Sequence, residues 1–424
     1  MVCVPLGEDE LSRITAESIC VSAATGFLTG LASFILVSSV MWLNNAVLTL
    51  RSLALPAIIA TPVVGGIVSG LIAKYVTPEV RGHGTDAAIR AVLFRDGFIR
   101  GRTPLAKLAA TISTVGSGGS GGLVGPMVHV GAGISSVLTR AFKLGRRYMR
   151  AMALSGMGAG VSGVLKAPLA GALAGLEILY RGPGLERGAL IPSLVASVTS
   201  YLTVAMFLGF KPLLYQAVTL SFRTACDART LSLAIAMGVL SGLLSKLYSW
   251  AFYGIKAKTR RLKIPTVLKP ALGALASGII AIYLPQASGA GYAFLPALVT
   301  GAYAATTLLA LCVGKLVATC FTVGSGGSGG VVAPAIFIGA SLGASVFKFL
   351  APTGALGALP ISLGAIEGIV GLLSGVCRIP LAAIALSIEI TGCPALVAPS
   401  IVTAVIAYVI AGPEATIYRS QRQD

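Results

Sequence analysis

The chain has 424 residues, of which 55% are hydrophobic and 11% charged, with 32 Lys and Arg against 14 Asp and Glu. A soluble domain carries about a quarter charged residues, so too few polar side chains are present to coat a soluble protein of this size. A cytosolic enzyme, a nucleic-acid binder and a disordered chain are excluded, and the composition points to an all-α polytopic membrane protein.

The first 19 residues hold Glu8, Asp9, Glu10, Arg13 and Glu17. That is the wrong chemistry for a cleavable signal peptide, and the segment reads as a short surface helix. From about Thr15 to Gly412 apolar stretches recur, each near the roughly 20 residues that cross a bilayer. Basic residues gather between them: Arg140, Lys143, Arg146, Arg147 and Arg150, then Lys256, Lys258, Arg260, Arg261 and Lys263. Short basic loops lie on the cytoplasmic side, which explains the net charge of +18 without nucleic acid. The seven cysteines are odd in number and show no C-x-x-C spacing, so neither a disulfide framework nor a zinc site is expected. The last apolar span ends shortly before Asp424, so a single membrane domain over 1–424 with no appended cytosolic domain is expected. Its expected location is the cell membrane, in many passes.

The strongest organising signal is an internal repeat. The run Gly116-Ser-Gly-Gly-Ser-Gly-Gly122 returns as Gly324-Ser-Gly-Gly-Ser-Gly-Gly330, an offset of 208, with Pro126 matching Pro334 and Gly131 matching Gly339. A second block returns at an offset of 212: Gly156, Ser162, Gly163, Pro168 and Glu177 match Gly368, Ser374, Gly375, Pro380 and Glu389. Two related halves follow, about 18–213 and 229–412. Glycine-interrupted segments at matching places in two halves point to a midplane binding site, as in transporters and channels.

Each glycine loop feeds an apolar helix with proline near its start. Proline suits the first turn because it has no N–H to waste. A helix N-terminus offers unpaired N–H groups and the positive end of the dipole, so it holds an anion without a full positive charge. Two such ends converging at mid-membrane bind a small anion weakly enough to release it.

The chain here resembles the CLC family of chloride channels and chloride/proton antiporters, as a prokaryotic member. Gly82-His-Gly-Thr-Asp86 is similar to the first family anion motif, commonly G-S-G-I-P or G-H-G-V-P. Gly122-Leu-Val-Gly-Pro126 is similar to the second, G-R-E-G-P, and Gly330-Val-Val-Ala-Pro334 to the third, G-x-F-x-P. Lys166-Ala-Pro-Leu-Ala-Gly171 running to Glu177, Arg378-Ile-Pro-Leu running to Glu389, and the tail Ile417-Tyr418-Arg419 complete the likeness. The resemblance implies an inverted repeat of two antiparallel halves with many tilted and broken helices, and a homodimer in the lipid bilayer with one pore per subunit. It implies an anion held by backbone amides near Val124, Gly125, Val331 and Val332, with His83, through its backbone or its ring, and Gly84 completing the set and the Tyr418 hydroxyl donating from the inner side. His83 stands where many members place a serine. Chloride is the expected anion, and a backbone-amide site also admits bromide or nitrate.

The departures decide the mechanism. In G-R-E-G-P the glutamate is the outer gate and proton carrier, and here that position is Val124. The inner proton-relay glutamate of the antiporters falls at Ile178. Neither residue titrates, so passive, proton-uncoupled anion transport is expected, through a channel or uniporter. The alternative is a chloride/proton antiporter with a substitute acid such as Glu367, whose repeat mate is Ser155. An intramembrane acid is a functional hypothesis by default. Asp86, in place of the motif proline, reads as a helix cap or as a charge tuning inner access, and His129 as a packing residue or a pH sensor. Glu177 and Glu389 read as symmetry mates bonding backbone N–H groups near helix ends. Both glycine loops formally match G-x-S-x-G, but a hydrolase needs a strand-to-helix elbow, a histidine and an acid. No enzyme activity, cofactor or metal is expected.

Overall fold

The computed structural model describes residues 16–53, 56–215 and 217–422. The N-terminal segment read as a surface helix lies outside them up to residue 15. From Ala16 the chain already belongs to a long helix.

Fifteen helices of ten residues or more carry the described chain. The first half runs α1 (Ala16–Leu53), α2 (Ala57–Tyr75), α3 (Thr85–Phe94), α4 (Arg102–Thr111), α5 (Val124–Ala141), α6 (Arg146–Leu165), α7 (Pro168–Glu177) and α8 (Leu190–Leu208). The second runs α9 (Ala228–Arg261), α10 (Lys269–Tyr283), α11 (Ala305–Gly324), α12 (Val332–Leu350), α13 (Ile361–Val376), α14 (Pro380–Thr391) and α15 (Val397–Ala411). No strand occurs among the described residues; the only extended pairing near the centre is one antiparallel bridge between Gly122 and Gly330. Among the described residues seven helices (α1, α2, α8, α9, α11, α12 and α15) are long and apolar enough to cross a membrane.

Packing repeats as the sequence does. In half one α5 lies against α6 and α1 against α8; in half two α12 lies against α13 and α9 against α15. Glycine permits the close approach. At Gly131 and Gly156, and again at their mates Gly339 and Gly368, a Cβ would run into the backbone of the facing helix. α7 and α14 both start on proline, Pro168 and Pro380, at positions where no N–H is needed.

The two halves are tied by crossed bonds. The Glu177 carboxylate at the end of α7 accepts from Leu381 N (2.9 Å) and Ala382 N (2.8 Å) at the start of α14. Glu389 at the end of α14 accepts from Leu169 N and Ala170 N, both 2.8 Å, at the start of α7. Free N–H groups at a helix start are natural partners for a carboxylate. Ser120 Oγ meets Thr319 Oγ1 at 3.0 Å, and Thr111 Oγ1 meets Ser328 Oγ at 2.9 Å. Among the described residues every cysteine is a free thiol: Cys20 and Cys226 exposed, the other four buried.

Candidate anion site

The glycine loops cross at the centre. Gly122 N donates to Gly330 O at 2.7 Å, and Gly330 N returns to Gly122 O at 2.6 Å. This pair delivers the starts of α5 and α12 to one place. The first helical bonds are Met127 N to Leu123 O and Ala335 N to Val331 O, both 3.0 Å. The Val124, Gly125, Val332 and Ala333 amides therefore precede the hydrogen-bonded ladder, and neither helix has a side-chain cap to occupy them. Gly125 is wedged in: a Cβ there would lie 2.6 Å from His83 O and 3.0 Å from Gly330 Cα. The backbones of all three motifs thus meet where only glycine fits.

Around this crossing lie two cavities. The central one, about 20 Å3, is lined by Val124, Val332, Ile178, Leu373 and Tyr418 among other apolar residues. The inner one, about 430 Å3, is lined by Gly82, His83, Gly84, Asp86, Arg90, Phe252 and Lys256. His83 and Tyr418 stand between them, their ring centroids 5.3 Å apart. Tyr418 is fully buried; its hydroxyl receives the Cys377 thiol at 3.7 Å and its N–H donates to Thr416 Oγ1 at 3.0 Å. The structure therefore brings together Val124, Gly125, Val331, Val332 and Tyr418 at the centre, with His83 and Gly84 on the inner side.

Asp86 is not the cap expected from its residue type. Gly84 takes the N-cap position of α3 without a side-chain bond. The Asp86 carboxylate instead accepts from Ser420 N at 3.2 Å and faces His83 Nε2 at 3.3 Å, so it ties the tail carrying Tyr418 to the first motif. Burial works against its charge, but His83, the Ser420 N–H and Lys256 hold it down at about 2. Burial pulls His83 below its ordinary value, while Asp86 pulls it up. Asp86 lines the inner cavity as a carboxylate, facing Lys256 and Arg90.

Glu367 lies elsewhere. Its carboxyl is fully buried, with Oε1 accepting from Ser400 Oγ at 3.1 Å and Oε2 without a partner. It lines neither cavity. Its repeat mate Ser155 bonds Met152 O at 2.7 Å. His129 lines a side cavity of about 210 Å3 together with Glu79, Arg90 and Arg95, and its Nδ1 has no partner.

Sequence reasoning missed Lys107. It is fully buried in α4, and its Nζ donates to Val80 O (2.8 Å) and Gly82 O (2.7 Å), bracing the loop before α3. The signal was present: a lysine inside an apolar helix, repeated as Lys315 at the same offset of 208 as the glycine loops.

Residues 65–412 match the model of the voltage gated chloride channel family. A ClcB-like chloride channel protein of Ralstonia nicotianae is 32% identical over 383 residues, 87% of either chain. The structure is similar to that of a slow cyanobacterial Cl−/H+ antiporter, with a TM-score of 0.84, 23% identity and coverage of 94% of this chain and 95% of that one. It is also similar to a CLC-type fluoride/proton antiporter, with a TM-score of 0.82, 24% identity and coverage of 96% and 98%. The glycine crossing, the three converging motifs and the extent of these likenesses agree: the chain belongs to the voltage gated chloride channel family, the CLC proteins.

Proposed function

We propose that this protein moves chloride passively, without protons, through a path in each subunit. The observation that carries the reading is the central cavity. Val124 and Ile178, the positions of the two proton carriers in coupled relatives, line one apolar cavity in which Tyr418 supplies the one polar side chain. Proton transfer needs a titratable group or an ordered file of water, and a space this small and apolar holds neither readily. The helix-start amides and the Tyr418 hydroxyl keep what an anion needs. The same amides accept bromide or nitrate, because they select charge and size and not chemical identity.

The antiporter reading needs Glu367 in place of the missing acids. Its carboxyl lies between α13 and α15, bonded by Ser400 and outside the cavity, which weighs against that role. The exposed apolar face built by Leu169, Ile191, Val198, Leu381, Ile401 and Val405 on α7, α8, α14 and α15 supports a second copy packed there as a homodimer.

The test is simultaneous recording of chloride and proton movement from proteoliposomes under a chloride gradient. Chloride efflux without proton uptake is expected, with a reversal potential indifferent to a pH gradient. Chloride-driven proton pumping would overturn the reading and make Glu367 the first residue to replace.

A further inference from the structure

The loop that carries the inner motif has a counterpart in the other half. Pro78-Glu-Val-Arg-Gly82-His-Gly84 and Pro285-Gln-Ala-Ser-Gly289-Ala-Gly291 share the spacing P-x-x-x-G-x-G. Both begin with a 3-10 turn, Pro78–Val80 and Pro285–Ala287. Their glycines take the same left-handed backbone, with φ of 70° and 82° at Gly82 and Gly84, and 59° and 82° at Gly289 and Gly291. Each loop is sewn to the glycine loop of the opposite half. Gly82 N donates to Gly326 O and Gly82 O accepts from Gly329 N; Gly289 N donates to Gly118 O and Gly289 O accepts from Gly121 N.

Each loop is also braced by a fully buried lysine. Lys315 Nζ in α11 donates to Ala287 O (3.1 Å) and Gly289 O (2.7 Å), as Lys107 does to Val80 O and Gly82 O. The Lys315 ammonium lies 5.3 Å from the Phe337 ring centroid, and Phe337 is the repeat mate of His129. Among the described residues no carboxylate pairs with either lysine. A buried cation without a counter-ion is costly, and two carbonyls take only two of its three donors without cancelling its charge.

The peptide geometry says where that charge acts. In a trans peptide the C=O and the following N–H point in opposite directions, and this chain has no cis bond among its described residues. Lys315 holds the Gly289 carbonyl, so the Ala290 N–H points away from it. Likewise the His83 N–H points away from Lys107. Neither N–H donates to any described residue, although His83 and Ala290 are buried. A cation bound at one end of a peptide polarises it and strengthens the donor at the other end.

We propose that the loop Gly289–Gly291, backed by Lys315, is an anion site at the outer mouth, the counterpart of the His83 site at the inner one. The proposal rests on the anion-conduction reading above. It takes a halide-sized anion, bound by the Ala290 and Gly291 amides with the Lys315 charge behind the loop. The two sites differ in one respect. The inner loop runs into the ten-residue α3, whereas the outer one runs into a 3-10 turn, Tyr292–Phe294, and the five-residue helix Leu295–Val299. No helix end of any strength supports the outer site, so it depends on its lysine more than the inner site does.

The experiment is bromide soaking of crystals of the full chain, located by anomalous scattering. Bromide is expected at the Ala290 amide as well as at the crossing of α5 and α12. Lys315→Gln should lose the outer bromide and keep the central one, and should raise the half-saturating chloride concentration on the outer face alone in planar bilayers. Lys315→Arg, which keeps charge and donors, should retain both ions. Bromide at the crossing with none at Ala290, or an outer bromide untouched by Lys315→Gln, would overturn the site and leave Lys315 as a brace. A map empty at both places overturns the conduction reading and this site with it.

Discussion

Glu177 and Glu389 clasp each other's helices: each carboxylate closes its own helix and takes two backbone N–H groups from the start of the helix bearing the other. Four helix-start donors are satisfied by two side chains. Glu177 is the more buried, at 5% exposure, while Glu389 is half-buried.

Glu177→Ala should therefore destabilise the protein by about 2 kcal/mol, since it orphans two helix-start N–H groups, that of Ala382 in a buried bond and that of Leu381 in a partly buried one. Glu389→Ala should cost less, because its carboxylate is only half-buried. Thermal unfolding in detergent checks both, and equal losses would contradict the burial argument.

Val124→Glu should return a titratable group to the outer gate position. Chloride efflux at neutral pH should fall roughly tenfold, about 1.4 kcal/mol, and recover on acidification as the carboxyl is neutralised. Unaltered flux would place Val124 off the path.

Proton coupling should need both acids. In Val124→Glu/Ile178→Glu, chloride efflux should carry proton uptake, because two titratable groups then line the central cavity. Neither single variant should do so. The paired chloride and proton recording described above reads this directly.

Tyr418→Ala should speed chloride flux by removing the ring between the central and inner cavities. Tyr418→Phe keeps the ring against His83 and loses only the hydroxyl, so it should weaken anion binding without widening the path. Flux and bromide affinity measured on both variants separate these effects.

Asp86 makes a pH prediction. Its folded value, about 2, lies below its ordinary 3.8. A depressed carboxylate contributes stability above its ordinary value and loses it as pH falls through the folded one. Wild type should exceed Asp86→Asn by about 2 kcal/mol at neutral pH. The gap should hold down to about pH 4 and close toward about pH 2, as read by thermal unfolding across that range. A gap that changes between pH 5 and 8 would point to His83 instead.

The repeat makes much of the site legible from residues alone. Glycine loops, prolines and paired acids recur in fixed order, and helix-start amides are a property of backbone that any sequence inherits. What the repeat does not display is the crossing. It identifies Glu177 and Glu389 as mates, but not that each reaches into the other half. Of the two readings of Asp86, the local cap fails for a similar reason: its residue type suggests one, whereas its partner is Ser420, brought by the tail from the far end of the chain. Lys107 and Lys315 were readable in principle, but their place among scattered basic residues hid an offset that only the glycine loops made meaningful.

The bond pair between Gly122 and Gly330 also has a consequence for how the protein is made. Synthesis runs from the first half to the second, and the Gly122 amide has no partner until residue 330 has been added. Contacts of such sequence separation form late. The glycine loop of the first half therefore has no fixed partner while that half is being made, so the conduit cannot form before the second glycine loop has been added. A chain arrested anywhere before α12 inserts, but has nothing through which an ion could pass.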